Sequence, residues 1–163
     1  MSEPVSELTA RCARLLRHQG FRLAVAESCT GGWLAKVLTD LPGSSEWFDR
    51  GFVTYSNQAK QAMLGVTSQT LEQFGAVSEA TVGEMTQGAL RESGADVAVA
   101  ISGIAGPGGG SEGKPVGTVC FAWQIRGREA ITGREWIDGD RKQVRWQAVV
   151  HALRQLERLL RSG

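Results

Sequence analysis

Apolar positions along the chain fall into two rhythms. Val5, Leu8, Cys12, Leu15 and Leu16 recur three and four residues apart, the spacing of one apolar face on a helix. Gly20 follows, the residue that most easily takes a left-handed cap. Arg22 to Ala26 (RLAVA) is a short apolar run and predicts a buried strand. Gly31-Gly32 followed by Trp33, Leu34, Val37 and Leu38 predicts a second helix halted near Pro42. Glu27 to Thr30 therefore fall in a strand-to-helix turn. Gly51 to Tyr55 (GFVTY) predicts another strand with Tyr55 at its end, and Ser56 can cap a helix that carries Lys60 and stops at Gly65.

A brief helical turn is expected at Thr70 to Phe74. Ser78 then reads as the cap of a helix bearing Val82, Met85, Ala89 and Leu90 up to Gly94. Asp96 to Ser102 (DVAVAIS) is the clearest buried strand, and Gly103 to Gly117 form a loop dense in glycine and proline. Thr118 to Ile125 and Glu129 to Ile137 predict an antiparallel hairpin about Arg126-Gly127-Arg128. Trp146, Val149, Val150, Leu153, Leu156 and Leu160 stripe a last helix over about 140–160. Helix and strand alternate for most of the length, which predicts an α/β fold: a three-layer α/β/α sandwich with a mixed, mainly parallel sheet. Ligands of such sheets bind beyond the carboxyl ends of the strands. The loops at 27–32, 55–60 and 102–110 all follow strands and are expected to converge there.

Composition narrows the function. The 163 residues, 42% hydrophobic and 21% charged, suit a single domain spanning 1–163. Eighteen basic against seventeen acidic residues leave a formal charge of +1, so neither nucleic acid nor a membrane surface is an expected partner. No apolar stretch reaches the roughly 18 residues of a membrane helix, and Met1-Ser2-Glu3-Pro4 does not begin a signal peptide, so a cytoplasmic protein is expected. Cys12, Cys29 and Cys120 lack paired CxxC spacing and read as reduced thiols. With no His/Cys/carboxylate cluster at ligand spacing, neither a metal nor a cofactor is expected.

Four segments carry chemistry. In Ala26-Glu27-Ser28-Cys29-Thr30-Gly31-Gly32, small residues allow a tight turn whose unpaired N–H groups can hold an oxyanion or a phosphate, although a serine there also serves as an N-cap. A serine nucleophile needs a base. The two histidines, His18 and His151, fall on the first and last helices, away from the strand ends. Lysine can replace histidine when desolvation lowers its pKa. Of four lysines, Lys60 is best placed, and Tyr55 can relay a proton between Ser28 and Lys60. Cys29 is a rival nucleophile with no histidine to lower its pKa. The run Ser102-Gly103-Ile104-Ala105-Gly106-Pro107-Gly108-Gly109-Gly110 offers an anion-binding concavity suited to a phosphate. It matches neither the GxxxxGKS/T P-loop nor the Rossmann GxGxxG. Before the last helix, Asp140 suits a cap and Arg141 can reach back to an anion.

Taken in order, AESCTGG at 26–32, VTYSNQAK at 53–60, GAVS at 75–78, SGIAGPGGG at 102–110, GTV at 117–119 and GDRKQVR at 139–145 resemble the CinA C-terminal domain family over nearly the whole chain. The family includes stand-alone nicotinamide-nucleotide amidohydrolases. The resemblance implies a three-layer fold, homo-oligomers, and conversion of nicotinamide mononucleotide to nicotinate mononucleotide and ammonia in pyridine nucleotide recycling. It implies Ser28 as nucleophile, with Tyr55 and Lys60 as the other catalytic residues. Candidates for the oxyanion and substrate are Thr30, Gly31, Gly32, Ser78, Ser102, Gly103, Gly106, Gly108, Gly109 and Arg141. The competing expectations are a module that binds a nucleotide without hydrolysing it and a serine amidase for another small amide.

Overall fold

The computed structural model describes residues 3–162, so Met1, Ser2 and Gly163 lie outside the described residues. The chain runs α1 (Val5–Gln19), β1 (Leu23–Glu27), α2 (Trp33–Thr39), a 3₁₀ turn (Ser44–Glu46), β2 (Phe48–Val53), α3 (Asn57–Leu64), α4 (Ser68–Phe74), α5 (Glu79–Arg91), β3 (Val97–Gly103), β4 (Thr118–Ile125), β5 (Ile131–Trp136) and α6 (Arg141–Ser162). The sheet order is β2-β1-β3-β4-β5. β1 pairs parallel with β2 and β3, while β4 is antiparallel to β3 and β5. The mixed sheet expected from the alternation is present, its parallel part being β2-β1-β3.

The buried strands hide a second pattern inside their apolar runs. Leu23 and Val25, Val97, Val99 and Ile101, and Val119, Phe121 and Trp123 join the core beneath α1, α2 and α6. Ala24 and Ala26, Ala98 and Ala100, and Cys120 and Ala122 join the opposite core with Val82, Met85 and Ala89 of α5. Side chains alternate across a strand, so one face is large and the other is an alanine floor. That floor lets α5 approach closely. A Cβ on Gly88 of α5 would stand 1.9 Å from the Leu64 carbonyl oxygen, so α3, the helix carrying Lys60, crosses α5 at backbone contact.

Helix ends follow the residues foreseen for them. Ser56 accepts the Ala59 N–H at 3.0 Å, and the Gly20 N–H returns to Leu16 and Arg17 from φ 67°. The largest departures from the expected boundaries are at β2 and α5. β2 begins at Phe48 and ends at Val53, so Tyr55 lies two residues past the strand. As an edge strand with one neighbour, β2 tolerates the polar Asp49 and Arg50 that break its apolar pattern. α5 ends at Arg91, short of Gly94.

Candidate active site

Register builds the site. Glu27 stands level with Val53 of β2 and Ile101 of β3, so residues following these strands emerge at one sheet edge. Two hydrogen bonds extend the ladders past the strand ends: Ser28 N–H to Ile101 O at 3.0 Å and Thr54 N–H to Glu27 O at 2.8 Å. Ser28, Tyr55 and Ser102 are thereby gathered, as the loop convergence predicts. They line a cleft of about 190 Å³ with Cys29, Asn57, Lys60, Ala76, Val77, Gly103, Ala105 and Arg141.

Lys60 is buried, 1% exposed. Its Nζ lies 3.0 Å from Ser28 Oγ, 3.0 Å from Thr54 O and 3.2 Å from Tyr55 O. No carboxylate pairs with it among the described residues. Burial penalises the ammonium and lowers the pKa below the usual lysine value. The partner set suits both protonation states. A neutral amine donates its two N–H groups to the two carbonyls and offers its lone pair to the Ser28 hydroxyl; an ammonium donates to all three. A proton can pass between Oγ and Nζ without any heavy atom moving.

Tyr55 corrects one expectation. Its side chain does not stand between Ser28 and Lys60; the residue is 60% exposed, and its phenol accepts from Arg141 Nη2 at 3.1 Å. What Tyr55 presents to Ser28 and Lys60 is its main-chain carbonyl, which lies 3.4 Å from Ser28 Oγ and 3.2 Å from Lys60 Nζ. The two residues between strand end and ring aim the side chain outward. Arg141 also donates to Gly106 O at 2.8 Å and so bridges the tyrosine and the glycine loop.

Cys29 lines the cleft, but burial pushes its thiol up to about 11, which leaves it protonated where the serine would act. His18 lies on α1. His151 on α6 packs 4.6 Å from the Phe121 ring, and burial lowers its pKa. Neither lines the cleft.

The remaining candidates divide. Ser102 lines the cleft and donates to Ala76 O at 2.8 Å, tying β3 to the loop before α5. Gly103 also lines it, and a Cβ there would stand 2.8 Å from Val119 Cγ2 and 3.1 Å from Cys29 Sγ, so its lack of a side chain lets the Ser28 turn seat against β3. Ser78 is a cap: its Oγ accepts Thr81 N–H at 3.1 Å and contacts Gly75 O at 2.9 Å, and Ala76 and Val77 line the cleft in its place. Gly31 and Gly32 shape the turn at φ 61° and 102°. Gly108 and Gly109 are exposed and stand outside the cleft lining. Thr30 is buried, its hydroxyl bonded to Glu27 Oε1 at 2.6 Å.

Sequence reasoning missed Glu27, Asn57 and Arg145. Glu27 is fully buried and accepts from Thr30 Oγ1, from Leu34 N–H at 2.9 Å and from Ala35 N–H at 2.9 Å. A carboxylate ending an apolar strand was its one signal, because such a group is buried only when satisfied. Among the described residues no cluster of three or more His, Cys, Asp or Glu converges, and no helix is long and apolar enough to cross a membrane.

Fold and site together define an α/β domain with a buried lysine set against a serine at a strand-to-helix turn. The chain belongs to the CinA family: the model of the CinA C-terminal domain matches residues 5–160. It is 57% identical over 150 residues to the nicotinamide-nucleotide amidohydrolase PncC of Escherichia coli (strain K12), covering 92% of this chain and 91% of that one. It is 48% identical to the protein of that name from Pseudomonas putida, covering 93% and 94%. Among solved structures, the competence-damaged protein (CinA) superfamily protein KP700603 from Klebsiella pneumoniae 700603 superposes with a TM-score of 0.95 at 46% identity, covering 99% of this chain and 100% of that chain.

Proposed function

We propose that this chain, acting as one catalytic unit, hydrolyses the carboxamide of nicotinamide mononucleotide to nicotinate mononucleotide and ammonia, with Ser28 as nucleophile and Lys60 as base. The observation that carries the reading is the 3.0 Å approach of a buried, carboxylate-free Lys60 Nζ to Ser28 Oγ. The substrate comes from the relatives named nicotinamide-nucleotide amidohydrolase.

Neutral Lys60 takes the hydroxyl proton as Ser28 Oγ attacks the carboxamide carbon. Ser28 N–H is already bonded to Ile101 O, so the N–H groups of Cys29 and Thr30 hold the oxyanion. When the tetrahedral adduct collapses, the C–N bond breaks and Lys60 returns the proton to the leaving nitrogen, releasing ammonia. Water then attacks the ester and gives a proton to Lys60. Breaking the C–O bond frees the acid and returns the proton to Ser28. No step uses a metal or cofactor. The cleft is smaller than the roughly 300 Å³ that encloses a drug-sized ligand, which fits the pyridine carboxamide inside and the ribose phosphate outside, beside Arg141 and the glycine loop.

The reading further takes the protein as cytoplasmic and homo-oligomeric. The exposed Ile131 and Trp136 on edge strand β5 support the second point. The deciding experiment is ammonia release from nicotinamide mononucleotide by the purified protein. Wild-type turnover with none from Ser28→Ala is expected; full turnover by Ser28→Ala overturns the mechanism, and binding without ammonia makes the protein a nucleotide sensor.

A further inference from the structure

The turn after β1 is held from behind by a residue with no assigned part in the chemistry. Arg145, one helical turn beyond Arg141 on the same face of α6, donates from Nε to Cys29 O at 2.9 Å and from Nη2 to Thr30 O at 3.3 Å. Its guanidinium lies 5.7 Å from the Trp33 ring centroid, and Trp33 is in turn braced by Trp146 at 5.2 Å. No carboxylate lies within salt-bridge distance of Arg145 among the described residues. Its charge is therefore directed at the turn.

Peptide geometry gives that contact a consequence. In a planar trans peptide the carbonyl and the following N–H point in opposite directions. With Cys29 O held by Arg145, Thr30 N–H faces away from the guanidinium. With Ser28 O held by Gly31 N–H at 3.0 Å, the preceding peptide is fixed as well. Every carbonyl from Ser28 to Thr30 is thus engaged, while the N–H groups of Cys29 and Thr30 meet no oxygen acceptor among the described residues. Cys29 lines the cleft and Thr30 is buried. Buried backbone donors without acceptors are rare, and a carbonyl bonded to a cation makes the N–H of the same peptide a stronger donor.

We infer that Arg145 is a positioning residue for the oxyanion hole, fixing and polarising the Cys29–Thr30 peptide so that the N–H groups of Cys29 and Thr30 receive the oxygen of the attacked carbonyl. The inference rests on the reading of Ser28 as nucleophile. Arg145 stands outside the cleft lining, so it acts on the reaction step and not on binding.

The test compares wild type, Arg145→Lys and Arg145→Met in two assays, with thermal melting as the check on folding. In ammonia release from nicotinamide mononucleotide, kcat is expected to fall about 10-fold in R145K, whose shorter side chain lacks the planar guanidinium fork set across the two carbonyls, and about 100-fold in R145M. KM should stay within about twofold. Covalent labelling of Ser28 by a fluorophosphonate, followed by mass spectrometry, should slow in the same order, because its phosphoryl oxygen needs the same donors and no nucleotide is involved. Slowed labelling in both variants with no ammonia from wild type would sink the substrate assignment and leave this inference standing. Labelling of folded R145K at the wild-type rate overturns it, as does a rise in KM with kcat intact, or a wild-type Ser28 that does not label. If R145M does not fold, R145K decides.

Discussion

Lys60 Nζ faces Ser28 Oγ at 3.0 Å, and its other two partners are main-chain carbonyl oxygens. This pairing makes the reaction's pH dependence a direct readout of the lysine. Burial lowers the Lys60 pKa from 10.5, and only the unprotonated amine can accept the serine proton. The kcat/KM for ammonia release should therefore rise with pH through that lowered pKa and level off before the ordinary lysine range. Lys60→Arg, whose guanidinium stays charged, should reduce the plateau rate about 10²- to 10⁴-fold, the usual worth of a general base, and abolish the rise with pH. A flat pH profile in wild type would exclude the lysine as base.

Glu27 sets the turn from the strand side. Its carboxylate takes three donors, from Thr30, Leu34 and Ala35. Glu27→Gln keeps the size of the side chain but turns one acceptor oxygen into a donor that faces another donor. Leaving buried groups unsatisfied in this way should cost about 1–3 kcal/mol in urea denaturation. kcat should fall with it, because the Ser28 turn hangs on these bonds; undiminished stability would show that the carboxylate is not needed there.

The phenol of Tyr55 reaches Arg141 and the carbonyl of Tyr55 reaches Lys60, so the two parts of this residue have separable effects. Tyr55→Phe leaves the carbonyl in place and frees one arm of Arg141 at the cleft mouth. KM for nicotinamide mononucleotide should rise about 2- to 10-fold, the worth of one hydrogen bond, while kcat falls by less than about threefold. A loss of kcat of about 100-fold or more, the scale of a lost proton-transfer group, would restore the phenol as a relay.

These residues also mark what could be read in advance. RLAVA and DVAVAIS announced the central strands because a strand covered on both faces must be apolar throughout. Their carboxyl ends then carried Ser28 and Ser102 to one edge, and Ser56 and Gly65 bounded the helix that delivers Lys60. β2 was shortened because an edge strand need not be apolar at Asp49 and Arg50. The outward turn of the Tyr55 ring was not legible, because the group of this residue that meets Lys60 is a carbonyl, which any residue supplies at that position. Ser78 offered both a cap and a ligand, and its hydroxyl is spent on Gly75 and Thr81. Arg145 was illegible for a different reason: its partners are backbone oxygens 115 and 116 residues away, a pairing that exists only once α6 packs beside the turn.

A serine nucleophile also commits the reaction to an ester between Ser28 and the nicotinoyl group, and this ester can be intercepted. Hydroxylamine is a small, strong nucleophile that can enter a cleft of about 190 Å³ where water must enter in any case. Attack on the ester carbon breaks the C–O bond, gives the hydroxamate of nicotinate mononucleotide and returns the proton to Ser28. With nicotinamide mononucleotide and rising hydroxylamine, hydroxamate should grow at the expense of the acid, read by mass spectrometry or as its ferric complex, while ammonia release does not fall. Direct attack of water on the amide predicts the opposite, an acid yield that ignores hydroxylamine. The partition also locates the slow step. If the ester accumulates, hydroxylamine raises the rate of ammonia release; if its formation limits, only the product ratio shifts. Either result requires Ser28, so Ser28→Ala should form neither product, and hydroxamate from that variant would place the nucleophile elsewhere.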